Sequence, residues 1–421
     1  MKMKDSGIAW IGEIPEEWEL SKIGAVYEER NQKVSDADFP PLSVTKQGVV
    51  PQLETAAKTI DGENRKLICK NDFVINSRSD RRGSCGISEY DGSCSLINTV
   101  LKPKRNMCNA YYSFVFRSER FADEFYRWGN GIVDDLWSTK WSNMKRIYIP
   151  APSLQEQHRI ADYLNRKCSQ IDAIIARQQE VIEKLKAYKL SVITEAVTKG
   201  LNPHAPMKDS GVEWIGEIPE QWKVAKLKFV ASFYNGDRSS KYPSGTDIVD
   251  EGVIFVTSNN LGNTFLDTTI STKYITKEKY DDLGGAKIRI NDIIFCLRGS
   301  VGKCSINKSE NEGTIASSLV VIRAKKILAD YLIFALQCPG ITAVSTLNAI
   351  GIGSLNLSAD DISEIFIPIP PEKEAAEIAE FLYKRIGKID HVINEKNNYV
   401  NHFVMYKKSL IYEVVTGKKE V

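Results

Sequence analysis

The sequence predicts an α+β protein: two globular α/β domains in a pseudo-two-fold tandem duplication, separated by a pair of long antiparallel coiled-coil helices. Three observations carry this. Residues 3–22 (MKDSGIAWIGEIPEEWELSK) recur at 207–226 (MKDSGVEWIGEIPEQWKVAK), with 14 of 20 positions identical. Each copy is followed by a divergent interior rich in short β-type runs. Each interior is closed by a matching helical segment. A period near 200 residues is domain-sized, far beyond any solenoid repeat.

These landmarks divide the 421 residues as follows. Residues 1–152 hold the first repeated segment and the first variable domain. Residues 153–200 form the first spacer helix region, and 201–206 a linker. Residues 207–370 hold the second repeated segment and variable domain, and 371–421 the second spacer helix region. The closing segments begin IYIPAPSLQEQHRIADYLNRKCSQID and IFIPIPPEKEAAEIAEFLYKRIGKID and align at an offset of 218. They share Pro150/Pro368, Ile171-Asp172/Ile389-Asp390, Tyr188/Tyr406 and Val197-Thr198/Val415-Thr416.

Within the first interior, FVINS (73–77) and TVLKP (99–103) read as strands and Tyr111–Trp128 as helix. In the second, VIFVTS (253–258), DIIFCL (292–297) and SLVVIR (318–323) read as strands and Asp330–Gln337 as helix. Only KNDFVINSR (70–78) and INDIIFCLR (290–298) still match between them.

Ser153 is placed to cap the first long helix, with Glu156 at the capping-box position. No Pro or Gly interrupts it before Gly200. From Ile171 a heptad runs through Ile171, Gln178, Leu185 and Val192, and through Ile174, Val181, Tyr188 and Glu195. Ile175, Ile182, Lys189 and Ala196 flank it. The second copy gives Ile389, Lys396, Phe403, Leu410 and Val392, Tyr399, Tyr406, Glu413, flanked by Ile393, Val400, Lys407, Val414. Each stripe wants one partner helix. Residues 171–198 would span about 42 Å, and about ten residues then lead to the next copy. The second helix must therefore run back antiparallel, and the chain's end must return to the first half.

Composition bounds the chemistry. Net charge is +2 and 43% of residues are hydrophobic, so the chain can build cores. The start has no apolar targeting core, and Tyr331–Ala359 is too broken by Gly, Pro and Asn to span a membrane. Eight cysteines form no CxxC pair and four histidines no ligand spacing, so no metal site is expected. Free thiols in a reducing cytoplasm fit that usage. GSVGK (299–303) lacks the first Gly and the Ser/Thr of a phosphate-binding loop, and no GxSxG elbow occurs. No catalytic residues and no cofactor are expected in this chain.

Two unlike modules on one frame suit the reading of two different sites at a set separation, as DNA-binding dimers do. Residues 20–150 hold 20 Lys/Arg against 16 Asp/Glu, and residues 223–366 hold 16 against 15. Candidate DNA contacts in the first domain are Arg78, Arg81, Arg82, Lys102, Lys104, Arg105, Ser138, Lys140 and Asn143. In the second they are Arg298, Ser300 and Lys303, whose loop corresponds to the Arg78 cluster. Ser354 and Asn356 join them, because GIGSLNLS (351–358) falls opposite DDLWSTKW (134–141). Arg and Asn suit base edges, and Lys and Ser suit phosphates.

This layout resembles the specificity subunit of type I restriction–modification systems. The resemblance rests on DSGIAWIGEIPEEW and DSGVEWIGEIPEQW, on NDIIFCLRGSVGKCSI, on the two closing helices and on their endings SVITEAVTKG and SLIYEVVTGK. The second copy departs at Glu374-Ala375, where the first keeps Glu156-Gln157. The resemblance implies that each interior is a target-recognition domain reading one half of a bipartite double-stranded DNA target. It implies that the helices set the gap and that two DNA-methyltransferase subunits dock on the chain. S-adenosylmethionine, ATP and magnesium would sit on partner subunits, which methylate adenine N6 and, with restriction subunits, translocate and cleave DNA. The expected location is cytoplasmic. Trp10, Trp18, Trp214 and Trp222 are candidates for partner docking or for sealing helix ends. Ile171, Leu185, Val192, Ile389, Phe403 and Leu410 are candidates for the spacer. A stand-alone DNA-binding regulator or scaffold, and an adaptor that bridges proteins without DNA, remain the alternatives.

Overall fold

A computed structural model describes residues 2–53, 62–78, 81–104, 106–131, 137–269, 271–348 and 356–421. The chain forms two compact units, residues 1–179 with 397–421, and residues 180–396. Each unit contains one α/β domain and part of both long helices.

In the first unit, β1 (Glu19–Lys22) precedes β2 (Tyr27–Glu29), β3 (Phe73–Asn76), β4 (Cys85–Ile87) and β5 (Asn98–Pro103). Helices α1 (Asn109–Arg117) and α2 (Glu119–Arg127) follow, then β6 (Tyr148–Ala151) and the long helix α3 (Leu154–Lys199). The single helix expected over 111–128 is broken at Ser118, which ends α1 and caps α2 by accepting from Phe121 N–H. An interior hydroxyl that competes for backbone donors favours such a break. Strands β4-β3-β5-β2 form one antiparallel sheet. The ends of the domain are closed by β1 against β6, with Lys22 opposite Tyr148.

The second unit repeats this frame. Strand β7 (Lys223–Lys226) precedes β8 (Ala231–Asn235), β9 (Ile293–Cys296), β10 (Cys304–Ile306) and β11 (Leu319–Ala324). Helix α4 (Ala329–Leu336), β12 (Phe366–Ile369) and the long helix α5 (Glu372–Val415) complete it. The sheet order β10-β9-β11-β8 is that of the first domain, and β7 closes on β12. The interiors therefore share a topology that their sequences no longer display. Each domain adds a second sheet, of strands 33–34, 65–68 and 92–94 in the first and of strands 248–249, 253–256, 273–275 and 313–315 in the second.

The surviving ND scrap has a structural cause. Asn71 and Asn291 hold left-handed φ values of 71° and 66° before β3 and β9, a conformation Asn tolerates better than most residues. Asp72 and Asp292 are buried and cap the turn, accepting from Cys69 N–H and Arg289 N–H, both at 2.8 Å. Each also takes a two-pronged bond from an arginine, Arg30 at 2.6 and 3.1 Å and Arg323 at 2.7 Å twice. Arg30 follows β2 whereas Arg323 lies on β11, so the same pair is kept by donors from different places. Removing one partner of a buried pair leaves a charge unmatched and costs about 3–5 kcal/mol. Asp292→Asn should lower the opening free energy of β9–β11 amides by that order, read by hydrogen exchange. Amides of the first unit should be unaffected.

The long helices pair antiparallel. In the second unit, Tyr188 lies opposite Arg385, Lys189 opposite Asp390 and Gly200 opposite Glu374. The seam uses Ile171, Ile175, Gln178, Ile182, Leu185 and Lys189 on α3, and Ile386, Ile389, Ile393, Phe403 and Leu410 on α5, all buried or half-buried. The expected heptad set Ile174, Tyr188 and Glu195 is instead exposed, as are Val392, Tyr399 and Tyr406. The first heptad set is kept and the flanking set takes the place of the second, which puts Lys189 and Lys407 where aspartates reach them. Lys189 Nζ donates to both oxygens of Asp390 at 2.7 and 2.8 Å, and Lys407 Nζ to those of Asp172 at 2.7 and 2.6 Å. The repeated Ile-Asp pair thus supplies one seam residue and one cross-helix acceptor in each copy.

Candidate nucleic-acid interface

The two domains build the same corner from unlike residues. Where β3 ends, Arg78 forms an antiparallel bridge with Ser138, and Thr139 N–H donates to Ser77 C=O at 2.9 Å. Where β9 ends, Arg298 bridges Asn356, and Leu357 N–H donates to Leu297 C=O at 3.0 Å. The expected correspondence of the two loops is therefore realised in the backbone. Arg78 and Arg298 are exposed there beside a half-buried Ser138 in one domain and an exposed Asn356 in the other. Ser300 and Lys303 lie on the turn after Arg298 and are exposed. Arg105 and Ser354 lie outside the described residues.

Arg81 and Arg82 follow Arg78 on the first corner and are exposed. The Arg82 guanidinium lies 3.8 Å from the centre of the Tyr126 ring and 3.3 Å from Asp123. Trp137 Nε1 donates to Tyr126 C=O at 2.9 Å, so this tryptophan is seated against α2. Lys140 is exposed just before the short helix Trp141–Met144. The second domain has Ser358 at that position, capping a helix that carries Asp360 and Asp361. One frame thus presents a cation in the first domain and acids in the second.

Three further candidates lie apart from this corner or are tied within the domain. Lys102 and Lys104 do not join the Arg78 corner, because β5 pairs Asn98 with Asn76 and Leu101 with Phe73. They lie at the opposite end of β3, about 17 Å away along the strand. There Lys102 meets Glu28 at 3.1 Å and Lys104 Nζ donates to Gly24 C=O at 2.7 Å. The Asn143 amide is spent on Trp128 C=O at 2.9 Å, which makes it a tie within the domain.

The tryptophans are also largely spent inside. Trp10, Trp18 and Trp222 are buried, so they offer a partner no face. Trp18 and Trp222 lie over Gly417 and Gly200, which end the long helices at φ 71° and 74°. A Cβ on Gly417 would sit 2.4 Å from Pro15 Cδ, so the turn and its cover need glycine. Trp214 is half-buried against Gly340. Trp18 and Trp222 are the two that cover the ends of the long helices.

Sequence reading missed the tyrosines that join each domain to a helix end. Tyr111 Oη donates to Val415 C=O at 2.9 Å, and Tyr331 Oη to Val197 and Pro368 C=O, both at 3.1 Å. Burial pushes both phenols well above their ordinary range, so they remain donors. Extending the ND scrap at its offset of 220 would have paired them. Burial also pushes the Cys85 and Cys338 thiols up to about 12, so neither supplies a thiolate near neutral pH. No helix among the described residues is long and apolar enough to cross a membrane.

Comparison with known proteins agrees with this architecture. The model of the type I restriction modification DNA specificity domain matches residues 15–184 and again residues 219–402. The chain is similar to the type I restriction enzyme MjaVIII specificity subunit of Methanocaldococcus jannaschii, 26% identical over 97% of this chain and 94% of that protein. It is also similar to the type I restriction enzyme EcoKI specificity subunit of Escherichia coli, 23% identical over 86% and 77%. Its fold matches a chain from a solved structure described as "Structural basis underlying complex assembly and conformational transition of the type I R-M system", with a TM-score of 0.69, 14% identity and 96% and 99% coverage.

Proposed function

The chain belongs to the family of type I restriction modification DNA specificity domains, and we propose that each of its α/β domains reads one half of a bipartite DNA target. The long helices set the unread gap, and DNA-methyltransferase subunits dock on the chain. The chain supplies the address, and its partners supply S-adenosylmethionine chemistry on adenine. Restriction subunits with ATP and magnesium would add translocation and cleavage.

The observation that carries this reading is the matched corner. Arg78 with Ser138, and Arg298 with Asn356, occupy one backbone frame with different side chains. A fixed frame with exchangeable polar groups is what two readers of unlike half-sites need. Docking is supported by apolar side chains left outside the helix seam. Phe381, Tyr188 and Val392 are exposed in the second unit, and Ile174, Tyr399, Met405 and Tyr406 in the first. Aromatic and methionine side chains at an exposed helix face are typical of protein interfaces.

The test is a genome-wide map of N6-methyladenine before and after deletion of the gene. Loss of one split motif, two short half-sites with a constant gap, is the expected result. Persistence of every methylated motif in the deletion strain would sink the assignment. On the same map, Arg298→Ala should relax one base position of one half-site, a loss of about 1–3 kcal/mol in discrimination. Arg78→Ala should act on the other half-site.

A further inference from the structure

The turn that follows Arg298 has a second face. It runs Gly299-Ser300-Val301-Gly302-Lys303, and its far side borders α3 across a cleft of about 330 Å3. Every charged residue lining that cleft is a lysine: Lys186 and Lys189 from α3, and Lys303 from the turn. Gln337 and Thr342 are its polar neighbours, and Gln337 Oε1 is buried without a hydrogen-bond partner.

The close approach is built in. Gly302 holds φ 91°, and a Cβ there would lie 2.9 Å from Thr342 Oγ1, so glycine is needed for the turn to lie so near. The lysines differ in their commitments. Lys189 is held by both oxygens of Asp390. Lys186 meets only Glu183, at 2.8 Å, in a pair whose side chains are both more than half exposed. Such a pair is worth little and exchanges readily for another anion. Lys303 is exposed, and its ammonium makes no hydrogen bond or ion pair among the described residues. The cleft therefore presents two available cations and no lining acid, continuous with the corner that carries Arg298 and Ser300.

The geometry points to a backbone-phosphate clamp: Lys303 and Lys186 grip phosphates of the DNA strand next to the half-site faced by Arg298. This rests on the DNA-reading assignment above and deepens it. It gives α3 a direct contact with the duplex, in addition to its role as spacer. A phosphate contact fixes register and carries no base information. The clamp therefore strengthens binding to every sequence equally and leaves the recognised sequence alone.

The test uses the full chain, purified with the subunits that accompany it in its host, and a 40-bp duplex carrying the motif lost from the methylation map. Binding is measured from 50 to 300 mM salt for wild type and for Lys186→Gln/Lys303→Gln. Each phosphate contact contributes roughly 0.9 to the salt slope, so the double variant should flatten the slope by about 2. Its genomic motif should be unchanged. Ethylation interference should lose one or two phosphates flanking that half-site. An unchanged slope overturns the clamp, as does a variant that loses its co-purifying subunits, since the cleft would then hold an acidic protein surface. A wild-type complex whose DNA binding ignores salt sinks the DNA reading itself, and the clamp with it.

Discussion

Exchanging residues 24–146 for the equivalent interior of another family member will change one half of the methylated sequence. The other half and the gap will stay as they were. The reason is the way the domain is tied off. Ile23 N–H donates to Ile147 C=O and Gly24 N–H to Lys145 C=O, both at 3.0 Å, directly beside the β1–β6 pair. The two exchange points thus face each other across one set of hydrogen bonds. The second domain is closed the same way, with Leu227 N–H donating to Ile365 C=O at 2.9 Å. The exchanged interior must meet two conditions. A Cβ at position 24 would lie 3.1 Å from Lys145 Cβ and its carbonyl oxygen, so a side chain there needs the segment at 145 to give by a few tenths of an ångström. A tyrosine is also needed at position 111, where the donor to Val415 sits. The methylation map reads the outcome. A chimera that folds and methylates the original motif would show that the interior does not read DNA. One that alters both half-sites would show that the domains are not independent readers.

The duplication, the long helices and the closing prolines were legible because they are written locally, in identity and in 3.5-residue periodicity. The exact seam was not. Counting apolar residues favoured Ile174, Tyr188 and Tyr399, which are exposed. The true seam admits Lys189 and Lys407, which look polar until Asp390 and Asp172 are placed across from them. The corner residues Arg78 and Arg298 could be aligned from the ND scrap. Lys102 and Lys104 could not be separated from that corner, because strand register decides which end of β3 they reach. Asp72 and Asp292 show the same limit. Arg30 follows β2 whereas Arg323 lies on β11, so no alignment of the two interiors joins the pairs.

Removing residues 410–421 will unfold the first unit and spare the second. The chain's last residues belong to the core of its first domain. Leu410, Val414 and Val415 are buried in one cluster with Trp10, Ile11, Trp18, Tyr111 and Phe121. Each such side chain contributes about 1.5–3 kcal/mol. Together they approach the 5–15 kcal/mol that typically holds a whole domain. Hydrogen bonds are lost with them. Tyr111 Oη would have no acceptor at Val415, and a buried unpaired hydroxyl costs about 1–3 kcal/mol more. The carbonyls of Trp10 and Ile11 would lose the Tyr412 hydroxyl at 3.2 and 3.1 Å, and the Lys418 ammonium would no longer bind Ile11 and Glu13. The second unit has its own equivalent closure, Tyr331 on Val197, which the truncation does not touch. Hydrogen exchange should show protection collapsing across β3, β5 and α1 while β9, β11 and α4 keep theirs. Leu410→Asp, which preserves chain length, should weaken the same amides in the same order. Equal loss in both units would mean that they fold as one. Undiminished protection of the first would mean that its core closes without the chain's end. With the expected result, and on the function proposed above, the truncated chain should lose recognition of one half-site before the other.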